Sequence, residues 1–94
     1  MAITKEIVVD KIEVLEMGQV QVRTATKIME DGNELNRSFH RHVVVPSTKT
    51  GYTWGDPDIS SEAARVQAIC TATWTDAVKT AYQEMIDAQE NILN

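Results

Sequence analysis

The stretch QVQVRTATKIMEDGN, which runs from Gln19 to Asn33, decides the fold. In its first part β-branched residues alternate with polar ones, the period-two pattern of a strand that buries one face. The pair Asp31-Gly32 follows, and both residues tolerate the positive φ that a two-residue hairpin turn requires. The stretch therefore predicts a strand that turns directly into the next one.

Two further strands flank this central one. From Lys5 to Met17 β-branched residues dominate, which favours a strand, and Gly18 then supplies a residue that is free to turn. After the Asp-Gly turn a third strand is predicted from Glu34 to Val45. The residues expected on its apolar face are Leu35, Phe39, Val43 and Val45. The pattern as a whole predicts a three-stranded antiparallel β-meander over residues 5–45.

A loop is predicted over residues 46–59, because Pro46 cannot donate to a sheet ladder and the following residues are rich in Gly, Thr, Ser and Asp. Two isolated aromatic residues, Tyr52 and Trp54, lie in this loop. Aromatic side chains on a polar loop are typical of interface anchors. An alternative interpretation has Trp54 folding back over the end of the core.

A helical segment is predicted over residues 60–93, where apolar residues recur at steps of three and four. Ser60 and Ser61 provide candidate N-caps. We expect one long amphipathic helix laid across one face of the sheet. Because the threonines around Trp74 disfavour a helix interior, two helices that meet there are the alternative.

The predicted fold class is therefore α+β, in a single domain over residues 1–94. A chain of 94 residues buries only about 60 to 70% of the surface of its extended form. A meander covered on one face also leaves two strand edges unpaired, and such edges invite pairing with another chain. We expect a homo-oligomer or one part of a larger protein assembly.

The charge balance excludes several classes of partner. Nine Lys and Arg residues against 14 Asp and Glu residues give a net charge of -5, which opposes the attraction of nucleic-acid phosphates. The sequence has no apolar run of about 18 residues and no signal-peptide layout at its N-terminus, so we expect neither a membrane partner nor secretion. One local exception is a small positive patch predicted on the third strand by Arg37, His40, Arg41 and His42.

No motif predicts catalysis, a cofactor or a small-molecule substrate. His40 and His42 lie two residues apart and so share a strand face, but no third His or Cys is near them in sequence; a metal site there is the alternative to an ordinary solvated pair. Cys70 lies among apolar residues of the predicted helix, where a thiol behaves as a small apolar group. The four glycines are scattered singly and form no phosphate-binding loop. We therefore expect a protein that is not an enzyme.

The candidate functional residues are those expected at interaction surfaces. They comprise the loop aromatics, the basic and imidazole side chains of the third strand, and the end of the helix. The residues are Tyr52, Trp54, Arg37, His40, Arg41, His42, Ile92 and Leu93.

Four segments of the sequence resemble small uncharacterised proteins of tailed bacteriophages of aquatic bacteria. The segments are MAITKE with VVDKIEV (residues 1–6 and 8–14), VQVRTAT (20–26), RSFHRHV (37–43) and WTDAVK (74–79). The resemblance implies a virion-associated protein, made in the host cytoplasm, such as a tail, neck, fibre-attachment or capsid-decorating subunit. Its partners would be copies of itself or other phage structural proteins. The alternative function is a small non-virion phage protein that binds and modulates a host protein.

Overall fold

Three long antiparallel strands form the main sheet, in the order of the sequence. The structure, a computed structural model, describes the backbone of residues 2–93 and the side chains of residues 2–90. The strands are β1 (Ile3–Val14), β2 (Val20–Glu30) and β3 (Asn33–Val44), with β2 in the centre. The predicted β-meander is confirmed.

Both hairpin turns use residues with positive φ. Asp31 and Gly32 have φ values of 51° and 87° and connect Glu30 to its partner Asn33, as the Asp-Gly pair predicted. At the other end of the sheet Gly18 has a φ of 89° in the turn between β1 and β2. The central strand is therefore tied to each neighbour by a short turn.

The helical segment is divided into two helices, so the prediction of one long helix was wrong and its alternative is confirmed. Helix α1 (Ala64–Thr73) and helix α2 (Asp76–Leu93) are separated at Trp74. Trp74 has a ψ of 71°, which is not helical, and Val78 N–H bonds to the Thr75 hydroxyl at the start of α2. The threonine acts as a cap instead of a helix interior residue, because its hydroxyl satisfies a backbone donor.

Two other predicted boundaries differ from the structure. Residues 46–59 are not all loop, since β4 (Thr48–Thr50) and β5 (Thr53–Gly55) form a short hairpin in which Gly51 takes the positive φ. The first helix begins at Ala64 and not near residue 60. The carboxylate of Asp58 accepts a bond from the backbone N–H of Ser60, and this local turn competes with an earlier helix start.

The core lies between one face of the sheet and α1. The central residues are buried Val20 and Val22 from β2, with Val66, Cys70 and Trp74 from the helical segment. We call the sheet face that carries Val20 and Val22 the helix-side face, and the opposite one the open face.

The predicted apolar face of β3 was wrong. In the register Val20 pairs with Val44 and Val22 with His42, so Val44 and His42 are on the helix-side face. Phe39 and Val43 are on the open face and are 48% and 53% exposed. The alternation of β2 fixes the buried face, and β3 follows it whatever its own composition.

The helices cover only part of the sheet, and the molecule is elongated, with extents of 58 × 27 × 22 Å. We call residues 9–14, 20–24 and 40–44 the packed half of the sheet, because the core residues of the strands lie there. Residues 3–8, 25–30 and 33–39 form the projecting half.

No helix in the described part of the chain is both long and apolar enough to cross a membrane.

Candidate interaction surface

The projecting half exposes large apolar side chains. Ile3 and Ile7 on β1 are 56% and 63% exposed, and Leu35 on β3 is 58% exposed. Ile7 lies two residues from Val9 and so shares the helix-side face with it. Val9 packs against the core, whereas Ile7 lies beyond the end of that packing.

Two strand edges are also unpaired along the described chain, since β1 and β3 are the outer strands of the main sheet. Each is interrupted by a β-bulge. The register of β1 shifts between Val9 and Lys11, and that of the β2–β3 pair shifts between Ile28 and Met29. Bulges twist an edge and limit the length over which another strand can pair with it.

The bulge in β1 organises a layer of ion pairs on the open face. The extra residue, Asp10, accepts two hydrogen bonds from the Arg23 guanidinium, both of 2.9 Å. Arg37 lies 3.5 Å from the same carboxylate and bonds to Glu34 at 2.6 and 3.0 Å. Four charged side chains from all three strands therefore form one network.

This network explains how the open face is stabilised in water. The hydrogen bonds from Arg23 hold the pKa of Asp10 below its usual value, and those from Arg37 do the same for Glu34. The Arg23 guanidinium also lies 4.4 Å from the centre of the Phe39 ring, a cation–π contact that partly shields the aromatic face. Asp10, Arg23, Glu34 and Arg37 on the open face thus pair with one another, whereas the apolar side chains of the projecting half lack such contacts.

At the packed end of the sheet, the turn around Gly18 contacts the helical segment closely. The Trp74 indole N–H donates a buried hydrogen bond of 2.7 Å to the Gly18 carbonyl. A Cβ at Gly18 would lie 2.5 Å from Val78 Cγ1 and 2.9 Å from Pro46 Cγ. Glycine is therefore required at this turn by contact as well as by its positive φ.

The two histidines lie on the helix-side face of β3. Their ring centres are 6.4 Å apart, and His42 Nε2 is 2.7 Å from Glu62 Oε1, which links β3 to the segment before α1. His40 is exposed. No group of three or more His, Cys, Asp or Glu side chains that could hold a metal ion is found among the described residues.

The short β4–β5 hairpin separates the two loop aromatics. Trp54 packs edge-on against the buried Tyr82 of α2, and Lys49 lies 5.4 Å from the centre of its ring. Lys49 also bonds to Asp87 at 3.0 Å and to Glu90 at 2.8 Å, so the hairpin is attached to α2 by several contacts. Tyr52, at the tip, is 99% exposed.

The candidate residues therefore do not form a single site. Arg37 and Arg41 are on the open face, whereas His40 and His42 are on the helix-side face, so these four do not make one positive patch. Tyr52 and Trp54 belong to the separate hairpin. The side chains of Ile92 and Leu93 lie outside the described residues.

Sequence reasoning missed Asp10, whose carboxylate joins Arg23 and Arg37 on the open face. An aspartate inside a run of β-branched residues is itself unusual in a strand, and this was the signal that could have found it. Its partners Arg23 and Arg37 lie on two other strands, so only the register reveals them.

Comparisons with protein-family models, with curated proteins and with solved structures gave no match to this chain.

Proposed function

We propose that the protein is a structural subunit of a tailed-phage virion, acting through protein–protein assembly as a tail, neck, fibre-attachment or capsid-decorating component. The observation that carries this proposal is the projecting half of the sheet. There Ile3, Ile7 and Leu35 are each more than half exposed beside unpaired strand edges.

The energetic reason is that such a surface gains from being covered. Burying apolar area stabilises by about 25 cal/mol per Å². A strand edge in addition offers backbone donors and acceptors that another strand can satisfy without any change of fold. A repeated building block uses these properties, because each copy completes its burial against a neighbour. The virion context comes from the resemblance to small phage proteins.

The alternative function, binding and modulating a host protein, has its own supporting observation. Residues 56–94 carry seven acidic and two basic residues, a balance equal to the net charge of -5 of the whole chain. The helical end is therefore the acidic end. Such a surface steers association with a basic partner protein.

Quantitative mass spectrometry of purified particles of the phage that encodes the chain tests the proposal. We expect the protein at many copies per particle, in a fixed ratio to the major capsid or tail protein. A matched sample of infected-cell lysate without particles measures carry-over. Enrichment in the lysate and absence from the particles would overturn the structural function and support the alternative.

A further inference from the structure

We propose that the chain pairs with a second copy of itself along β1, the two strands running antiparallel about a twofold axis at Ile7. The inference rests on the proposed function in that it names the first partner in the assembly. The pairing joins the β1 edges of two copies in one register.

The usable part of the β1 edge runs from Ile3 to Val9. It ends at the bulge, because the register shifts between Val9 and Lys11 and the extra residue Asp10 is held by Arg23. Along the regular part, every second residue directs its N–H and C=O away from β2. This segment also carries the exposed Ile3 and Ile7, so it offers both free backbone groups and apolar area.

The charges of this segment select the register. Across a twofold axis, residues that pair directly point to the same face, and like charges placed opposite each other destabilise the pair. An axis at Lys5 places the two Lys5 side chains together, and an axis at Glu6 does the same for Glu6. An axis at Val8 places Glu6 beside Asp10 of the second copy, and both carboxylates lie on the open face.

An axis at Ile7 places no two like charges directly opposite each other, and only the two Glu6 side chains become diagonal neighbours of like charge within the usable edge. It places Ile7 opposite Ile7, Lys5 opposite Val9 and Glu6 opposite Val8 of the second copy. The stems of Lys5 and Glu6 then cover apolar neighbours while their charged ends stay in water. Ile7 is the most exposed of the β1 residues whose side chains are large and apolar, at 63%, and it gains most from this position.

The β3 edge is less suited to a second copy. Arg37 and Arg41 lie four residues apart on its open face, so self-pairing about Arg37, Phe39 or Arg41 brings arginines of the two copies directly opposite each other. Its regular part also starts only after the second bulge. Pairing through β1 leaves these charged edges on the outside, where they discourage further strand addition.

The resulting assembly joins two three-stranded sheets into one continuous sheet. The projecting halves lie side by side, and the two helical ends point in opposite directions on the same face. Ile7 and Val9 of the two copies form one apolar cluster at the axis on the helix-side face. A closed twofold contact of this kind uses the same surface on both copies and does not propagate.

Cysteine cross-linking tests the register directly. In an antiparallel pair, opposite Cα atoms are about 4.5 to 5.5 Å apart, within the range of a disulfide. We therefore expect Ile7→Cys to form a covalent dimer rapidly under mild oxidation. Ile3→Cys is the matched control, because it lies on the same edge with a similar exposure of 56%, yet its two copies would lie about 25 Å apart. The native chain gives the background, since its single cysteine, Cys70, is buried.

Three cross-linking outcomes would overturn the inference. The first is equal cross-linking of Ile3→Cys and Ile7→Cys, which would indicate random collision. The second is faster cross-linking of Leu35→Cys on β3, which would place the contact at the wrong edge. The third is a folded Ile7→Cys chain that stays monomeric under the same oxidation.

The molar mass in solution, measured by light scattering without cross-linking, supplies a second test. We expect the native chain to have twice its monomer mass of 10.5 kDa, and Ile7→Lys to have the monomer mass with an unchanged far-ultraviolet spectrum. Val43→Lys, a comparable exposed position on the open face, should remain dimeric. A native chain that is monomeric at every concentration used for cross-linking overturns the self-pairing, while the proposed function still stands if particles contain the protein. If the chain forms a dimer but is absent from particles, the self-pairing stands and the proposed function is overturned.

Discussion

The packed and projecting halves of one sheet differ in what covers them, although the same three strands run through both. In the packed half Val20 and Val22 are 0% and 1% exposed. In the projecting half Ile3 and Ile7, also β-branched and also on the helix-side face, are more than half exposed. The comparison teaches that strand pattern alone does not determine burial, since a second layer must also reach the residue.

The lengths of the elements explain why the second layer does not reach. Helix α1 has 10 residues and spans about 15 Å, whereas β2 has 11 residues and spans about 36 Å. The chain then changes direction at Trp74, which is fixed to Gly18 at the packed end. The helical layer is therefore held at one end of the sheet and leaves the other end uncovered.

Among single substitutions in the packed half, replacing Trp74 should destabilise the fold most. This residue is only 9% exposed, and its side chain donates the hydrogen bond to Gly18. We expect Trp74→Ala to lower the free energy of unfolding by about 3 to 5 kcal/mol, a large share of the stability of a small domain. Urea denaturation followed by circular dichroism measures the change.

Trp54→Ala is the control for that prediction. Trp54 is only partly buried, against Tyr82 and outside the main core, so its loss should lower the free energy of unfolding by less. Equal losses for the two variants would contradict a core that includes Trp74 and leaves Trp54 at its margin.

Two glycines with nearly the same φ, at opposite ends of the sheet, sharpen the comparison. Gly18 and Gly32 have φ values of 89° and 87°, but a Cβ meets Val78 and Pro46 only at Gly18. We expect Gly32→Ala to cost about 1 to 2 kcal/mol of stability from its backbone conformation alone. Gly18→Ala should cost about 1 to 3 kcal/mol more, because the helical layer must move.

Thermal and urea unfolding of both glycine variants measure this difference. If Gly32→Ala lowers the free energy of unfolding as much as Gly18→Ala does, close contact between the Gly18 turn and the helices does not contribute to stability.

The smallest expected effect concerns the open face, which continues across both halves. Because Arg23 lowers the pKa of Asp10 in the folded state, ionised Asp10 stabilises the fold above its ordinary pKa of 3.8. This contribution is lost as the pH falls through the lowered folded-state pKa. We expect Asp10→Asn to be less stable than the native chain at pH 7, with the difference shrinking as the pH falls below about 4.

Urea midpoints at a series of pH values measure that dependence. Glu84→Gln, which removes an exposed carboxylate of α2, is the matched control for a change of net charge. A constant difference between Asp10→Asn and the native chain across the series would contradict the ion pair as the cause.

The sequence predicted those parts of the fold that depend on residues close together in the chain. The alternation from Val20 to Ile28 and the Asp31-Gly32 turn placed the sheet correctly, because side-chain period and turn chemistry are properties of neighbouring residues. The threonines around Trp74 were the correct signal for the helix break. They were outweighed by the apolar spacing, which continues across the break without interruption.

Contacts between distant residues could not be predicted in the same way. The buried face of β3 is set by its register with β2, and the hairpin of β4 and β5 is supported by Lys49 on the distant residues Asp87 and Glu90. The candidate site was therefore named as scattered residues, since their division between two sheet faces and one hairpin depends on tertiary structure. The exposure of Ile3 and Ile7 could not be predicted, because the sequence does not show where the helical layer ends.

Hydrogen exchange at two protein concentrations tests most directly whether the projecting half is an assembly surface. In a monomer, the outward-facing amides between Ile3 and Val9 have no partner strand and exchange rapidly. We predict that raising the concentration slows exchange in the peptide that covers this segment and leaves the β3 peptide around Phe39 unchanged. Equal exchange of the Ile3–Val9 segment at both concentrations, in a sample that light scattering shows to span monomer and dimer, would contradict assembly through the projecting half.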